Sequence, residues 1–339
     1  MTQQAPSNPL PAVLLRARDG LILHQSLYVA AKLGVADALG ESSKSCAEIA
    51  SATGANCESL ARLTRALVTL GVLALDDDGR FRLTETGASL QSGMPGSMRS
   101  MILTLGEEHY QAWGKLIDSV KDNKPAFDQV YRQPLFEYLA DNSAAARTFN
   151  QAMTDMTSQV ALAAVLAYDF SRSRVVADIG GGHGVLLDRI LRSNPSATGI
   201  LFDSAPVIED TNRHIASDDI GTRRRCIGGD FLESVPDGAD IYILKNVLHD
   251  WNDDRAVHIL KNCRRAMGPQ ARLLVIEVVL PLTDEPVFGS LLDLNMLVMS
   301  GGRERTKDEY ARLLEESGFR LTQAIPTRAL VSILEAIPF

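Results

Sequence analysis

The residues with the clearest chemical potential run from Val175 to Gly184, Val-Val-Ala-Asp-Ile-Gly-Gly-Gly-His-Gly. An apolar, β-branched run delivers Asp178, four glycines follow within five positions, and a helical pattern starts at Val185. That order reads as a buried strand, a tight turn and the start of a helix. Glycine is needed where backbone must come close to a ligand, because a Cβ would collide. The helix then presents free N–H groups to an anionic or polar ligand. A glycine-rich corner without any ligand is the plain alternative. The nicotinamide fingerprint G-x-G-x-x-G would need glycine at 185 after Gly180 and Gly182, and valine stands there. No G-x-x-x-x-G-K-[ST] phosphate loop occurs.

What remains, Asp178-x-Gly180-x-Gly182-x-Gly184, resembles the glycine loop of S-adenosylmethionine-dependent methyltransferases. Other polar residues close apolar runs further on. Asp203 ends the second such run, where a carboxylate can accept both hydroxyls of a ribose. Gly228-Gly229-Asp230-Phe231 follows the third strand-like segment, 225–228; Asp230 can accept from an adenine amino group while Phe231 packs on the ring. Lys245-Asn246-Val247-Leu248-His249-Asp250-Trp251 follows the apolar run Ile241–Leu244. Methyl transfer to an oxygen requires removal of the hydroxyl proton. A phenol of pKa ~10 is mostly protonated near neutrality, so a positioned imidazole is the natural base. Such a base needs a carboxylate to orient it and to stabilise its cation. Glu277, closing Leu273–Ile276, and Glu304, within Gly301-Gly302-Arg303-Glu304-Arg305-Thr306, are the candidates.

These residues must be carried by strands and helices in alternation. From residue 171 onward the pattern is strand-like at 175–178, 199–203, 225–228, 241–245 and 272–277, and again from 320 to the end. Alternation of this kind predicts a doubly wound, mostly parallel, Rossmann-like sheet in an α/β fold, with ligands beyond the carboxyl ends of the strands. Residues 97–170 read as helical, broken at Pro125 and Pro134, with an aromatic and methionine stripe. That stripe is ordinarily core, yet the segment could also supply a lid over a flat apolar substrate, with Asn150 and Met153 facing the pocket.

Leu14 to Leu39 reads as one helix, apolar on two faces, which asks for cover on several sides, most simply by a second copy of the chain. Ser45 and Glu48 suggest a capping box, a second helix spans 58–70 up to Gly71, and a hairpin turns at Asp76-Asp77-Asp78-Gly79. This is a winged-helix outline. Residues 1–95 contain eight Lys/Arg against nine Asp/Glu, and the wing tip is three aspartates. A wing pressed on phosphates should be basic, so a dimerisation module is expected in place of a DNA reader. The domains expected are 1–95 for dimerisation, 96–170 as helical linker and lid, and 171–339 for cofactor binding and catalysis.

With 339 residues, 45% hydrophobic and 22% charged, the chain has the composition of a globular protein able to bury a sizeable core. Net charge of −8 argues against a general nucleic-acid or anionic-membrane partner. No apolar run reaches membrane-spanning length, and residues 1–11 form a polar, Pro-rich tail without signal-peptide character. Cys46, Cys57, Cys226 and Cys263 show no C-x-x-C pairing and no metal-ligand spacing with histidine, which suits reduced thiols in a cytoplasmic protein. No metal is expected.

In order and spacing, these segments together resemble the class I small-molecule O-methyltransferases, the group of plant caffeic acid O-methyltransferase and bacterial natural-product methyltransferases. The winged-helix region and Phe149-Asn150-x-x-Met153 resemble that family's dimerisation and lid regions, so the resemblance spans nearly the whole chain. It implies S-adenosylmethionine as cofactor, a homodimer, and a general base at His249 flanked by Glu277 and Glu304. It implies cofactor contacts from Gly180, Asp203, Asp230, Phe231 and Lys245, beside Asp178 and Gly182 of the loop. Asp250 would lie near a hydroxylated aromatic or polyketide-like acceptor. Trp251, Met153, Asn295, Met296 and Met299 would line its pocket. Two departures stand out: His183 replaces the family's usual small hydroxyl residue, and the stretch from Asp203 to Asp230 is longer than in the plant enzymes. Competing readings are a relative with hydroxylase or decarboxylase chemistry at the same cofactor site, and a winged-helix transcription factor that senses a ligand.

Overall fold

The computed structural model describes residues 12–94, 96–213, 219–281 and 288–339. The tail expected over residues 1–11 lies outside them. The chain divides into two compact units, one ending at Glu107 and one beginning at Glu108. The helices expected over 96–170 fall on both sides of that division.

The first unit contains α1 (Ala12–Leu33), α2 (Val35–Leu39), α3 (Cys46–Thr53), α4 (Cys57–Thr69), β1 (Leu73–Leu75), β2 (Phe81–Leu83), α5 (Glu85–Ala88) and α6 (Arg99–Gly106). The single helix expected over 14–39 is two helices. Gly34, at φ 72° in the left-handed region that favours glycine, breaks it. Ser45 and Glu48 form the reciprocal capping box that starts α3. Val35, Leu39, Ile49, Leu60, Leu67 and Leu73 close a small core. α1 nevertheless leaves Leu14, Leu21, Ile22, Leu23 and Val29 exposed, and Ile22, Ser26 and Val29 face Ala55, Leu60 and Leu63 across an open groove. Cys46 and Cys57, the first residues of α3 and α4, bring their sulfurs to 3.9 Å, a proximity that their spacing in sequence does not reveal.

The second unit opens with α7 (Glu108–Trp113), α8 (Leu116–Asp122), α9 (Ala126–Tyr131) and α10 (Leu135–Asp141). Pro125 and Pro134 stand immediately before α9 and α10, where a missing N–H costs nothing. The aromatic stripe is core here, with Phe127 4.5 Å from Tyr131 and 5.5 Å from Tyr138 between ring centroids. The long α11 (Ser143–Ala167) then leads into the sheet.

The sheet has seven strands in the order β10-β11-β7-β6-β3-β4-β5. Their ranges are β3 (Val175–Ile179), β4 (Thr198–Asp203), β5 (Arg224–Gly228), β6 (Ile241–Lys245), β7 (Arg272–Glu277), β10 (Phe319–Pro326) and β11 (Ser332–Pro338). β3 to β7 pair in parallel, and β11 pairs antiparallel with β7 and β10 at one edge. The doubly wound, mostly parallel sheet is therefore as the alternation predicts, and the strand expected from 320 is a hairpin of two. Strand residues alternate between two cores: Ile179, Phe202, Leu244 and Val275 face one, and Val176, Leu201, Ile243 and Ile276 the other. Burial on both faces explains why β3, β4, β6 and β7 read as nearly continuous apolar runs. Each such side chain contributes roughly 1.5–3 kcal/mol of transfer free energy. The covering helices are α12 (Val185–Ser193), α13 (Ala205–Arg213), α14 (Asp219–Arg223), α15 (Asp253–Ala266) and α17 (Lys307–Glu316), while α16 (Gly289–Met299) packs on α7, α8 and α9. Two short strands, β8 (Val279–Leu280) and β9 (Arg305–Thr306), pair with each other.

Candidate active site

Strand order reverses between β3 and β6, because the chain runs β3, β4, β5 to one side and then returns to β6 and β7 on the other. A crevice at the carboxyl ends of the strands is expected at that point. The glycine turn leaves β3 there, and the segment from Lys245 to Trp251 leaves β6. Gly180 has φ 69°, and a Cβ on it would stand 2.8 Å from Val247 Cγ2 and 3.6 Å from the Phe231 ring. Gly182, at φ 58°, has open space where its Cβ would be.

Beneath the turn lies Asp178, 1% exposed. Neither carboxylate oxygen makes a well-formed hydrogen bond among the described residues; the Lys245 ammonium and the Leu187 amide favour its charged form. Burial pushes this carboxyl up to about 7, partly offset by the Lys245 ammonium. Burial also lowers the pKa of Lys245, whose Nζ donates to Thr157 Oγ1 of α11 at 2.9 Å, while Asp178, Glu277 and Asp250 favour its charge. Asp203, at the end of β4, accepts from the Gly182 amide at 2.8 Å and from the Ser204 amide at 2.7 Å. Each oxygen keeps capacity for a second donor. Asp230 is exposed and accepts from the Leu232 amide at 2.7 Å, and Phe231 beside it is half-buried.

His249 sits on a single 3₁₀ turn, Leu248–Asp250, just after Asn246, which takes φ 52°. Asparagine tolerates that left-handed conformation better than other non-glycine residues. His249 Nδ1 lies 2.9 Å from Glu304 Oε1 and 3.7 Å from Glu277 Oε2, and its Nε2 lies 3.9 Å from Asp250 Oδ2. Glu277 Oε1 accepts from the Val247 and Leu248 amides, each at 2.9 Å, and so fixes the turn as well as facing the ring. Burial opposes the His249 cation and is the largest single effect, but the three carboxylates together outweigh it and push the imidazole up to about 10. Burial holds Glu277 up at about 7 and Asp250 at about 6, each moderated by His249. The three groups His249, Glu277 and Glu304 place one ligand-type atom each within 4.8 Å of one another. No spacing in the sequence signals this cluster; the fold creates it from three distant segments.

Those segments are gripped by the stretch from Gly301 to Thr306. Arg303 N donates to His249 O at 2.8 Å, and Glu304 N donates to Asp293 Oδ1 at 2.8 Å. A Cβ on Gly302 would stand 1.9 Å from His249 O and 2.7 Å from Trp251 N, so only glycine permits this approach. Arg305, fully buried, donates to Leu248 O and Trp251 O at 2.9 and 2.7 Å and pairs with Asp253. Arg305 and Asp293 lie beside the expected site residues but show no sign of their own in the sequence.

The expected acceptor-pocket residues fall in several surroundings. Asn150 and Met153 lie half-buried on α11. The Trp251 ring stacks on Phe136 at 5.6 Å and meets Phe231 edge-on at 6.1 Å. Asn295 accepts from Trp113 Nε1 at 2.9 Å. Met296 is buried, and Met299 packs in the core around Phe127.

Comparison with known proteins places this geometry among relatives. Residues 113–320 match the O-methyltransferase domain, and residues 15–92 match the O-methyltransferase dimerisation domain. The phenazine O-methyltransferase of Lysobacter antibioticus is 45% identical over 335 residues, covering 99% of this chain and 98% of that protein. The aclacinomycin 10-hydroxylase of Streptomyces purpurascens is 34% identical over 333 residues, covering 95% and 89%. The crystal structure of an O-methyltransferase from neocarzinostatin biosynthesis, with S-adenosylmethionine and 2-hydroxy-5-methyl naphthoic acid, superposes with a TM-score of 0.82. It is 31% identical and covers 99% of this chain and 100% of that one. No helix among the described residues is long and apolar enough to cross a membrane.

The proton cluster has a signature in stability. A group with a raised pKa holds more protons folded than unfolded, so it loses stabilising effect as pH rises. For His249 that contribution is complete below about 6.5 and is lost as pH rises through about 10. The destabilisation caused by His249→Ala should therefore shrink between pH 6.5 and 10, measured by denaturant unfolding at each pH. A constant difference across that range contradicts the cluster.

Proposed function

The chain belongs to the O-methyltransferase family, with S-adenosylmethionine as cofactor, and on that premise we propose that it methylates a hydroxyl of an aromatic or polyketide-like small molecule, with His249 as general base. The observation that carries this reading is the buried imidazole held by Glu304 and Glu277 at the mouth of the glycine-turn crevice. Bound S-adenosylmethionine supplies an electrophilic methyl group on a positively charged sulfur. The residues around the turn fit such a ligand. The buried, unsatisfied Asp178 oxygens suit a cationic or amino group, and the free acceptor capacity of Asp203 suits a ribose diol. Asp230 and Phe231 suit an adenine, Gly180 and Gly182 leave the approach clear, and Lys245 balances the local negative charge.

Glu304 engages Nδ1, so Nε2 is the nitrogen left to take the acceptor's proton. The three carboxylates favour the cationic form of His249, and its neutral form is the base. Any positive charge entering beside it opposes the imidazolium and favours that neutral form. Proton removal by a placed base typically contributes about 10²–10⁴-fold, and orientation of the acceptor supplies much of the rest. Asn150, Met153, Asp250, Trp251, Asn295, Met296 and Met299 are the residues we assign to the acceptor pocket. The aromatic set of Trp251, Phe136 and Phe231 suits a flat ring.

Hydroxylation at the same cofactor site is the second reading, favoured by the 34% identical hydroxylase. The His249, Glu277 and Glu304 set supports methyl transfer, because a proton acceptor with its own carboxylates is what that reaction requires of the protein. Mass spectrometry of the product separates the two, by a gain of CH₂ or of one oxygen. We further assign the first unit to homodimer formation: it matches a dimerisation domain, and α1 displays an apolar face that a second copy would cover.

Three outcomes are expected. His249→Ala loses about 10²–10⁴-fold in kcat, while calorimetric affinity for S-adenosylhomocysteine survives; full turnover by this variant removes the base assignment. Gly302→Ala displaces the turn that carries His249 and lowers kcat about 100-fold, again with cofactor affinity retained. Sedimentation equilibrium should return the mass of two chains, and a single-chain mass at micromolar concentration excludes the dimer.

A further inference from the structure

His183 interrupts the glycines of the turn, between Gly182 at φ 58° and Gly184 at φ 80°. Its side chain reaches two helices. Nδ1 lies 2.8 Å from Thr154 Oγ1 on α11, and Nε2 lies 3.2 Å from Asp210 Oδ2 on α13. Thr154 Oγ1 also lies 2.8 Å from Asn150 O; a ring proton on Nε2, facing Asp210, makes Nδ1 the acceptor of the Thr154 hydroxyl, and a proton on Nδ1 is donated to Thr154 Oγ1. One turn further along α11, Thr157 Oγ1 donates to Met153 O and accepts from Lys245 Nζ. The same face of α11 is thus fastened twice, to the end of β6 by Lys245 and to the glycine turn by His183. Asn150 and Met153, assigned above to the acceptor pocket, lie within one turn of Thr154.

We infer that His183 is a positioning residue: it ties α11 to the glycine turn, so that order at the cofactor turn and order at the acceptor side of α11 depend on each other. A small hydroxyl residue at 183 could not span to both Thr154 and Asp210. The geometric reason is reach, since an imidazole offers two nitrogens on opposite edges of one rigid ring. Gly182 is the connecting link, because its amide is bonded to Asp203 while the next residue is bonded to α11. Movement of α11 therefore pulls directly on the amide that holds Asp203 in place. The consequence for the acceptor rests on the reading of Asn150 and Met153 given above; the tether itself does not.

The test uses the full chain and four variants: His183→Ala, Thr154→Val, the double variant, and His183→Asn, which keeps a donor near the Nδ1 position. Hydrogen exchange over residues 143–160 is read without cofactor, and S-adenosylhomocysteine affinity is read by calorimetry. Each single variant should speed exchange in α11 and weaken S-adenosylhomocysteine about tenfold, and the double variant should be little worse than either single one, as expected for one shared contact. His183→Asn should recover most of both effects. For an accepted hydroxylated aromatic, KM should rise more than kcat falls, which a general loss of folded protein would not produce. Unchanged exchange in His183→Ala overturns the inference, as does simple additivity in the double variant. A wild-type chain that binds no S-adenosylhomocysteine but loses α11 protection in His183→Ala keeps the tether and overturns instead the reading of the glycine turn.

Discussion

A buried imidazole surrounded by carboxylates is the constraint on which the rest of the catalytic unit depends. An unpaired charge away from water is prohibitive, and even a paired one is tolerated only when its remaining polar atoms are satisfied. His249 shares its environment with Glu304, Glu277 and Asp250, while Glu277 Oε2 and Glu304 Oε2 are buried without a hydrogen bond among the described residues. Glu277 in turn occupies one oxygen with two backbone amides of the turn that carries His249. The carboxylates therefore both stabilise the ring's charge and fix its position. Everything nearby is arranged to keep that turn still, including the Gly302 contact, the Arg303 amide and the buried Arg305 guanidinium.

The glycine turn obeys a different physical rule. Here the chain removes side chains so that a ligand can lie against backbone, and leaves a buried carboxylate, Asp178, without a well-formed hydrogen bond among the described residues. An unsatisfied buried acid is costly, which is a reason to expect its complement in a ligand and not in the protein. Lys245 lies between the two regions and feels Asp178, Glu277 and Asp250 together. It links the cofactor side of the crevice to the base electrostatically, as α11 links them mechanically through Thr154 and Thr157.

The exposed apolar face of α1 in the first unit follows a third rule, that contiguous apolar surface usually has a partner. The match to a dimerisation domain agrees with that expectation. The hairpin tip is acidic, and Arg82 pairs with Asp76 beside it.

Much of this was legible in the sequence because it is local. Continuous apolar runs marked four of the five parallel strands, β5 with its two arginines being the exception, polar residues just beyond the strands marked the crevice, and D-x-G-x-G-x-G set the cofactor class. The Ser45 capping box and the winged-helix outline depend only on residues within a few positions of one another. What local pattern could not show was the break of the first helix at Gly34, the second strand of the terminal hairpin, and the placement of Met299 in the Phe127 core. Nor could it show that His249, Glu277 and Glu304 converge within 4.8 Å, since they are carried by three segments brought together only by the strand order. The reach of His183 to Thr154 and Asp210, and the grip of Arg305 on the His249 turn, are likewise distances between remote parts of the chain. Sequence determined the elements and the chemical types at their ends, because strand, helix and turn preferences act over a few residues. Tertiary structure decided which of those groups share a proton and which hold one another in place, because electrostatic and hydrogen-bond energies depend on distances that only the completed fold sets.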